Sequence, residues 1–211
     1  MPVIVVANPK GGVGKSTLST QLAGYFASRG HAVMLGDADR QHSSRQWLAL
    51  RPPELAPILN WEVARGEVVK PPKGTSHVVL DTPAALHGKR LDAVLKVADT
   101  VLIPLQPSLF DIQATLPFVT ELLSHRRADR LRIGLVAMRV RENTIAAEQL
   151  RHFLATLAIP VVGQLRDTQN YVQMAARGLT LWDFNPGRVE RDLEQWLPIV
   201  QWLEAGRTFY E

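Results

Sequence analysis

A run of glycines followed by a lysine and a serine, near the start of the sequence, carries the most specific chemistry of the chain. Gly11, Gly12 and Gly14 precede Lys15 and Ser16. Because glycine has no side chain, the backbone N–H groups of such a loop can surround an anion closely. The lysine ammonium would reach the β- and γ-phosphates of a nucleotide, and the serine hydroxyl would ligate Mg²⁺. These residues therefore predict a phosphate-binding loop.

Three aspartates form a second group of candidate site residues. Asp37 and Asp39 follow one buried apolar run, and Asp81 follows another, Val78–Leu80. Carboxylates near Mg²⁺ suit phosphoryl chemistry, in which the metal neutralises charge and one acid orients a water molecule. The alternative is that strand-end aspartates only cap the following helices. Three of them in this order after a phosphate loop favour the chemical interpretation.

The sequence predicts a strand before the glycine loop and a helix after it, an arrangement that suits anion binding. Val3–Val6 is a β-branched apolar run, typical of a strand buried on both faces. After the loop, Leu18, Leu22 and Phe26 recur at helical spacing. A helix that begins directly after the loop would add the partial positive charge of its N-terminus.

Further along, strands alternate with helices to the end of the sequence. This alternation predicts an α/β fold, with a doubly wound, mostly parallel sheet and helices on both faces, in one domain over residues 1–211. The carboxyl ends of its strands would bring the aspartates to one edge. Residues 52–76, rich in proline, predict one short strand and loops.

Several helices carry specific expectations. Ser43 or Ser44 would cap a helix that turns Trp47, Leu48 and Leu50 toward the core. We expect Pro117 to interrupt the helix over 112–123 near its start. The last helix is expected over 189–203, with a kink or boundary at Pro198.

The loop does not fit the generic pattern G-x-x-x-x-G-K-[ST], because Pro9 stands at the first glycine. Residues 10–16, Lys-Gly-Gly-Val-Gly-Lys-Ser, resemble instead the deviant Walker A motif of the ParA/MinD superfamily of P-loop ATPases. Residues 36–41 look like the D-x-D-x-Q segment of that family, and residues 78–83 look like its Walker B strand. The likeness extends from about residue 3 to residue 203.

The resemblance implies a three-layer P-loop fold, ATP and Mg²⁺ as cofactors, and an ATP-dependent homodimer. It implies that Lys10 reaches the partner's nucleotide across the dimer interface and that Asp39 positions the attacking water. It implies slow hydrolysis, stimulated by a small partner protein. By this reading the catalytic residues are Lys10, Lys15 and Asp39, and the metal ligands are Ser16, Asp37 and Asp81. The loop residues that bind nucleotide are Lys10, Gly11, Gly12, Val13, Gly14, Lys15, Ser16 and Thr17.

The adenine site is less specific. In the family the base lies near the ends of two late strands, where this chain has Arg139 and Arg166. Both arginines could flank or stack on adenine. They could equally be solvated loop arginines. ATP rather than GTP follows from the family likeness and from the absence of an N-K-x-D guanine motif.

Charge is compatible with a polyanionic partner. The chain has 24 Lys and Arg against 20 Asp and Glu, a net charge of +4 that suits weak, salt-sensitive DNA binding or an ordinary basic protein. Relatives bind DNA without sequence specificity through basic residues on late helices, which here are Arg177, Arg188 and Arg191. A second basic stretch, residues 125–132, is interpreted as solvated surface.

Composition narrows the function classes. With no cysteine, disulfides and thiolate-bound iron–sulfur clusters are excluded, and a cytoplasmic location is expected. No apolar stretch approaches the ~18 residues that a span needs, and no secretory signal is expected. The C-terminal stretch over 193–203 has apolar residues at helical spacing, but Glu194, Glu204 and Pro198 favour docking on the domain over membrane binding.

We therefore expect a small ParA-type ATPase, nucleoid-associated, that segregates or positions plasmid, chromosome or protein cargo. One competing class is a metabolic P-loop enzyme, such as an ATP-dependent ligase of the dethiobiotin synthetase kind. Another is a positioning factor for a synthase or a division machine. A small-molecule substrate, rather than DNA and a partner protein, would distinguish the metabolic enzyme.

Overall fold

The computed structural model describes residues 1–63 and 73–205. Within these residues seven strands form one sheet, in which all neighbouring strands are parallel and the order is β3-β2-β4-β1-β5-β6-β7. The strands are β1 Val3–Val6, β2 Val33–Asp37, β3 Ile58–Trp61, β4 His77–Asp81, β5 Thr100–Leu105, β6 Arg132–Val140 and β7 Val161–Arg166. The predicted parallel sheet is confirmed. The short strand expected within 52–76 is β3, and residues 64–72 lie outside the described residues.

Helices pack on both faces of this sheet. They are α1 Lys15–Ser28, α2 Ser43–Ala49, α3 Gly88–Val97, α4 Leu109–Leu123, α5 Ile145–Ala155, α6 Asn170–Ala175 and α7 Pro186–Ala205. Helices α3, α4 and α5 contribute to one apolar core, and α1, α2, α6 and α7 contribute to the other. The three-layer α/β/α architecture expected from the alternation is therefore confirmed. Several helix ends differ by up to three residues from the sequence-based bounds.

The central position of β1 explains its composition. It lies between β4 and β5, with Val3 opposite Val78 and Ile4 opposite Thr100. All four of its residues are buried, because the two cores take alternate side chains: Val3 and Val5 face one core, and Ile4 and Val6 face the other. A strand covered on both faces has no polar side, which is why its sequence is continuously apolar.

Two expectations about proline are wrong. Helix α4 continues through Pro117, and α7 continues through Pro198. The non-helical backbone angles of α7 lie instead at Val189, with φ −131° and ψ 16°. Both prolines are exposed, as are Gln113 and Glu194 four residues earlier, so water can reach the carbonyl groups that lose their N–H partners.

The expected cap of α2 is also wrong. His42, not a serine, precedes the helix, in a left-handed conformation, and its side chain makes no capping hydrogen bond. The Ser44 hydroxyl donates instead to Asp81. Trp47 is buried as expected, but Leu50 is 55% exposed because it follows the last helical residue and lies outside the packed face.

The C-terminal helix packs against the sheet. Trp196 and Ile199 have no exposed surface, and Leu203 is buried in the core shared with α1. The docking of this stretch, preferred from its acidic polar face, is therefore observed. Within the part of the chain that the structure describes, no helix is both long enough and apolar enough to cross a membrane.

Candidate nucleotide site

The glycine loop runs from the end of β1 to the start of α1. Gly12 and Gly14 have φ of +76° and +97°, a region that side-chain-bearing residues rarely adopt. A Cβ atom on Gly14 would also lie 2.8 Å from the Met138 side chain. The loop is tied down by the buried Asn8, whose Oδ1 accepts from the Lys10 backbone N–H at 2.8 Å and whose amide donates to the Pro104 carbonyl. The fold thus presets the loop conformation.

Lys15 lies at the centre of this loop. Its side chain is buried, and its Nζ donates to the Lys10 carbonyl oxygen at 2.6 Å. Burial lowers the pKa of Lys15, whereas the charges of Asp81 and Asp39 raise it. The cation is therefore desolvated and held close to site carboxylates, which suits it to an anion that would compensate the lost hydration.

Lys10 has an anionic neighbour within its own chain. Its Nζ lies 3.8 Å from Asp111 Oδ1, at the first turn of α4. Because the like charges of Lys10 and Lys15 repel, a second anion near them is favourable, and the partner's nucleotide would be one such anion. Asp111 also meets that requirement, so the charge argument alone does not require a partner.

The predicted carboxylates meet at the carboxyl ends of β2 and β4, where Asp37 is paired with Asp81 in register. Asp37 is buried, and its two oxygens accept from the backbone N–H groups of Asp39 and Arg45, at 2.9 and 3.1 Å. Asp39 is half-buried, and its Oδ1 accepts from the Gln41 N–H at 3.0 Å. Backbone donors therefore fix the orientation of both side chains.

Asp81 is the most deeply buried of the three. Burial raises the pKa of Asp81 to about 6, against the opposing influence of the Ser16 and Ser44 hydroxyls; Asp37 raises it further and Lys15 lowers it. Its Oδ2 accepts from Ser44, while its buried Oδ1 has no hydrogen-bond donor among the described residues.

These groups fit Mg²⁺. The described residues contain no cluster of three or more His, Cys, Asp or Glu side chains placed to hold a metal ion. Mg²⁺ characteristically takes only one or two carboxylates together with substrate phosphates and waters, so Asp37, Asp81 and the Ser16 hydroxyl suffice. A hydrated cation would also supply the donor that Asp81 Oδ1 lacks.

A cavity of about 1150 Å³ opens over the loop. Its volume is sufficient for a nucleotide. The predicted site residues that line it are Gly11, Gly12, Gly14, Lys15, Ser16, Thr17, Asp37 and Asp39. The structure thus brings the phosphate loop and the carboxylates of β2 to the same space.

The two arginines proposed for adenine lie outside that lining. The guanidinium of Arg166 donates to the fully buried Asp192 at 2.6 and 3.1 Å. Arg139 is largely exposed, and its Nε lies 3.4 Å from Asp167 Oδ1. Each arginine therefore already has a carboxylate partner, and their role toward adenine stays a prediction.

The arginines predicted to bind DNA are all exposed. Arg177 follows α6, and Arg188 and Arg191 lie in the first turns of α7. Arg191 is 3.7 Å from Glu142, a pair in which both side chains are more than half exposed. Such a pair contributes little and leaves the cation available to other anions.

Sequence reasoning missed several supporting residues. Asn8 anchors the loop, Gln106 donates to the Gly12 carbonyl at 2.6 Å, and Ser44 contacts Asp81. The polar Asn8 at the end of a buried strand was a usable signal, because a buried amide needs hydrogen-bond partners. Gln106 and Ser44 act across distant elements, and only the fold reveals such contacts.

An all-parallel sheet with a glycine loop between its central strand and a helix, and carboxylates on the neighbouring strands, defines a P-loop nucleotide-binding domain. Residues 4–181 match the sequence profile described as the CobQ/CobB/MinD/ParA nucleotide binding domain. The chain belongs to this family, within the ParA/MinD superfamily of ATPases.

Named relatives agree with this assignment. The chain is similar to "Maintenance of carboxysome distribution protein A" of Gloeobacter kilaueensis, 38% identical over 112 residues that cover 52% of this chain and 51% of that protein. The match thus spans about half the length of that relative. It is also similar to "Chromosome-partitioning ATPase Soj" of Thermus thermophilus, 27% identical over 70% of this chain and 73% of that protein.

Solved structures share the fold. The MinD cell division protein of Aquifex aeolicus superposes with a TM-score of 0.74 over 97% of both chains, at 18% identity. A Cyanothece McdA variant solved with ATP gives a TM-score of 0.65, at 16% identity, over 94% of this chain and 96% of that one. At these identities the likeness concerns architecture, and the expected P-loop fold is confirmed.

Proposed function

We propose that the protein is a Mg²⁺-dependent ATPase of ParA type, which dimerises on ATP, binds DNA without sequence preference and positions a cargo. The observation that carries the proposal is the convergence of Lys15 with Asp37 and Asp81 at one edge of the sheet. Lys15 is desolvated beside an open cavity, and the carboxylates are oriented by backbone N–H groups or by Ser44. This arrangement suits a triphosphate and its metal better than any neutral substrate.

In the proposed reaction each residue has a defined task. The loop N–H groups and Lys15 bind the phosphates and offset their charge. Asp39, half-buried at the cavity wall with one oxygen held by the Gln41 N–H, orients the attacking water through its other oxygen. Ser16, Asp37 and Asp81 would hold Mg²⁺, which would supply positive charge to offset the negative charge of the phosphate oxygens. Positioning, rather than deprotonation of the water, supplies most of the catalysis. In this proposal hydrolysis is slow until a partner protein completes the site.

In this proposal Lys10 makes dimerisation depend on ATP. Its side chain is 40% exposed and its ion pair with Asp111 is long, at 3.8 Å, so Lys10 can exchange this contact for a phosphate. A nucleotide bound by a second copy, across a two-fold axis, provides such a phosphate. ATP thereby links two subunits, and each Lys10 contacts the nucleotide of the partner subunit.

The DNA-binding part rests on exposed charge. Arg177, Arg188 and Arg191 are solvent-accessible cations near one another in sequence, and the chain carries a net charge of +4. One subunit offers few phosphate contacts, but a dimer doubles them, and the salt exponent of binding is additive in contacts. Binding is therefore proposed to require ATP and to place the protein on the nucleoid, in the cytoplasm.

Cargo positioning, rather than metabolism, is supported by the names of the relatives. They are called carboxysome distribution protein, ParA and chromosome-partitioning ATPase. A protein assembly, a plasmid or a chromosome is thus the proposed cargo, with a small partner that stimulates hydrolysis. The metabolic P-loop enzyme stays the second candidate, and a small-molecule substrate that stimulates ADP release would favour it.

One experiment tests the whole proposal. The wild-type protein and Asp39→Ala are mixed with random duplex DNA in ATP or ADP, across a salt series, and are sized by chromatography in parallel. We expect DNA binding in ATP only, falling steeply with salt. The Asp39→Ala variant should still bind ATP, should hydrolyse it roughly 10²-fold more slowly, and should therefore accumulate as the ATP-bound dimer.

Each alternative result would contradict a different part of the proposal. DNA binding that is equal in ATP and ADP, or absent at low salt, would contradict the partition function and favour the metabolic enzyme. A variant that hydrolyses ATP normally would show that Asp39 has another role. Failure of the wild-type protein to bind either nucleotide would contradict the ATPase assignment itself.

A further inference from the structure

Two arginines share the cavity of the phosphate loop. Arg40 lies in the loop after β2, and Arg90 lies in the first turn of α3, after β4. Both line the cavity together with Lys15. They belong to two separate walls, so the phosphate loop, the segment after β2 and helix α3 each contribute one cation to the same space.

Neither guanidinium has a hydrogen-bond or ion-pair partner among the residues that the structure describes. Within residues 1–63 and 73–205, no hydrogen bond or ion pair engages the side chain of Arg40 or Arg90. Both residues are exposed. This differs from Arg51 and Arg166, whose guanidinium groups are engaged by Asp183 and Asp192. Arginines without internal partners that border a cavity remain available to a ligand.

The charge of the lining favours an anion. Three cations, Lys15, Arg40 and Arg90, oppose the two carboxylates of Asp37 and Asp39, which leaves one positive charge (3 − 2) before Asp81 is considered. The Mg²⁺ complex of a nucleoside triphosphate carries one more negative charge than that of the diphosphate. Lys15 and the loop amides serve the phosphates that both nucleotides share.

We propose that Arg40 and Arg90 bind the terminal phosphate of a nucleoside triphosphate and thereby make the cavity prefer triphosphate over diphosphate. The planar guanidinium group matches phosphate oxygens with paired N–H donors, which a lysine cannot do. This inference rests on the proposed nucleotide site and names the feature of the nucleotide that the site selects. Both side chains act by direct contact with the phosphate.

Equilibrium binding of two labelled nucleotides, a non-hydrolysable ATP analogue and ADP, tests the assignment in the presence of Mg²⁺. The variants are Arg40→Ala and Arg90→Ala. Their controls are Arg45→Ala and Lys89→Ala, exposed cations close in sequence that do not line the cavity. We expect Arg40→Ala and Arg90→Ala each to weaken binding of the ATP analogue roughly tenfold and to leave ADP binding unchanged. The controls should change neither affinity.

The outcomes separate this inference from the proposed function. Equal loss of both nucleotides, or unchanged affinity for the ATP analogue, overturns the role of the arginines while the nucleotide site stands. If the wild-type protein binds neither nucleotide, the proposed function fails and the inference fails with it. All four substitutions are at exposed positions, and a thermal melt of each variant tests whether the fold is retained.

Discussion

Charged residues beside the central strands of the sheet and beside its β6–β7 edge contact very different groups. We call residues 8–17, 37–45 and 81–90 the phosphate region, and residues 139–142, 166–170 and 188–195 the arginine region. In the phosphate region Lys15 and Asp37 are held mainly by backbone carbonyl and N–H groups. In the arginine region the cations face carboxylates: Arg139 and Arg141 face Asp167, Arg166 faces Asp192 and Arg191 faces Glu142.

This difference predicts which charged residues serve ligand binding and which serve the stability of the fold. Backbone groups orient a charged side chain without cancelling its charge, so the phosphate region keeps charges that a ligand can use. A buried carboxylate paired with an arginine offsets the charge of that arginine, and the fold then depends on both partners. Substitutions of the charged side chains that line the cavity in the phosphate region should therefore reduce nucleotide binding, whereas those at buried pairs of the arginine region should reduce stability.

The largest expected effect concerns Lys15. Lys15→Ala should abolish ATP binding, with a loss of roughly hundredfold or more, because the substitution removes the desolvated cation from the loop. The melting temperature should change little, since among the described residues the ammonium group donates a hydrogen bond to the Lys10 carbonyl alone. Calorimetric titration with ATP measures the loss. Lys73→Ala, at an exposed lysine, is the control, and near-normal affinity of Lys15→Ala would remove the contrast between the regions.

Arg166 should behave in the opposite way. Arg166→Ala leaves the fully buried Asp192 with the Asn170 amide as its only side-chain donor among the described residues, which should cost about 2–3 kcal/mol of unfolding free energy. Urea denaturation measures this loss, and Arg166→Ala combined with Asp192→Asn should recover part of it. If Arg166→Ala instead kept its stability and lost ATP affinity, Arg166 would contact the adenine, and the two regions would not differ as described.

Asp81 should affect both stability and nucleotide binding, and its effect on stability should depend on pH. Its pKa in the folded protein, about 6, lies above the ordinary Asp value of 3.8, so the native state binds the proton more tightly than the unfolded state. The cost of its buried charge, on the order of 2–3 kcal/mol, is full above pH 6 and is relieved as the pH falls from 6 toward 4. Without metal, Asp81→Asn should be more stable than the wild type at pH 8 and equal to it near pH 4.

Thermal melts in a chelator, at both pH values, measure this difference. Comparison with the variant removes the contribution of other titrating groups. The same substitution should weaken Mg²⁺-dependent ATP binding, because the neutral amide is a poor ligand for a hard cation. Equal stability of the two proteins at pH 8 would contradict the burial cost assigned to Asp81.

The smallest expected effects are at the exposed arginines. Arg177→Glu, Arg188→Glu and Arg191→Glu should each weaken ATP-dependent DNA binding a few-fold and lower the salt slope by about one. The weakest effect is expected for Arg191, which already faces Glu142 at 3.7 Å. Mobility-shift titrations measure it, with Arg130→Glu from the other basic stretch as control. The rate of ATP hydrolysis without DNA should not change. If Arg130→Glu weakened DNA binding as much as the other three variants, binding would depend on the net charge of the protein rather than on a defined surface.

The phosphate region was the more predictable from sequence. Lys15 and Ser16 lie in one contiguous segment, whose geometry is imposed by glycines and by the strand before it. Asp37 and Asp81 are separated in sequence, yet parallel strands place their carboxyl ends together. Local rules were therefore sufficient to predict these positions.

The arginine region could not be predicted in this way. A guanidinium group at the end of a long side chain reaches partners on other elements, as Arg166 reaches Asp192 on α7. The Asp111 partner of Lys10 and the Ser44 partner of Asp81 depend on the same long-range packing. The effect of Pro117 and Pro198 was misjudged because exposure of the free carbonyl group is a tertiary property.

The central position of β1 has a consequence for synthesis. This strand leaves the ribosome before its two neighbours, β4 and β5, which end only at Asp81 and Leu105. About one hundred further residues must therefore be translated after β1 before the strand that carries the phosphate loop is paired on both sides. Until then its apolar residues remain uncovered and attractive to chaperones. Nucleotide binding by stalled nascent chains should therefore begin only once β5 has emerged from the exit tunnel.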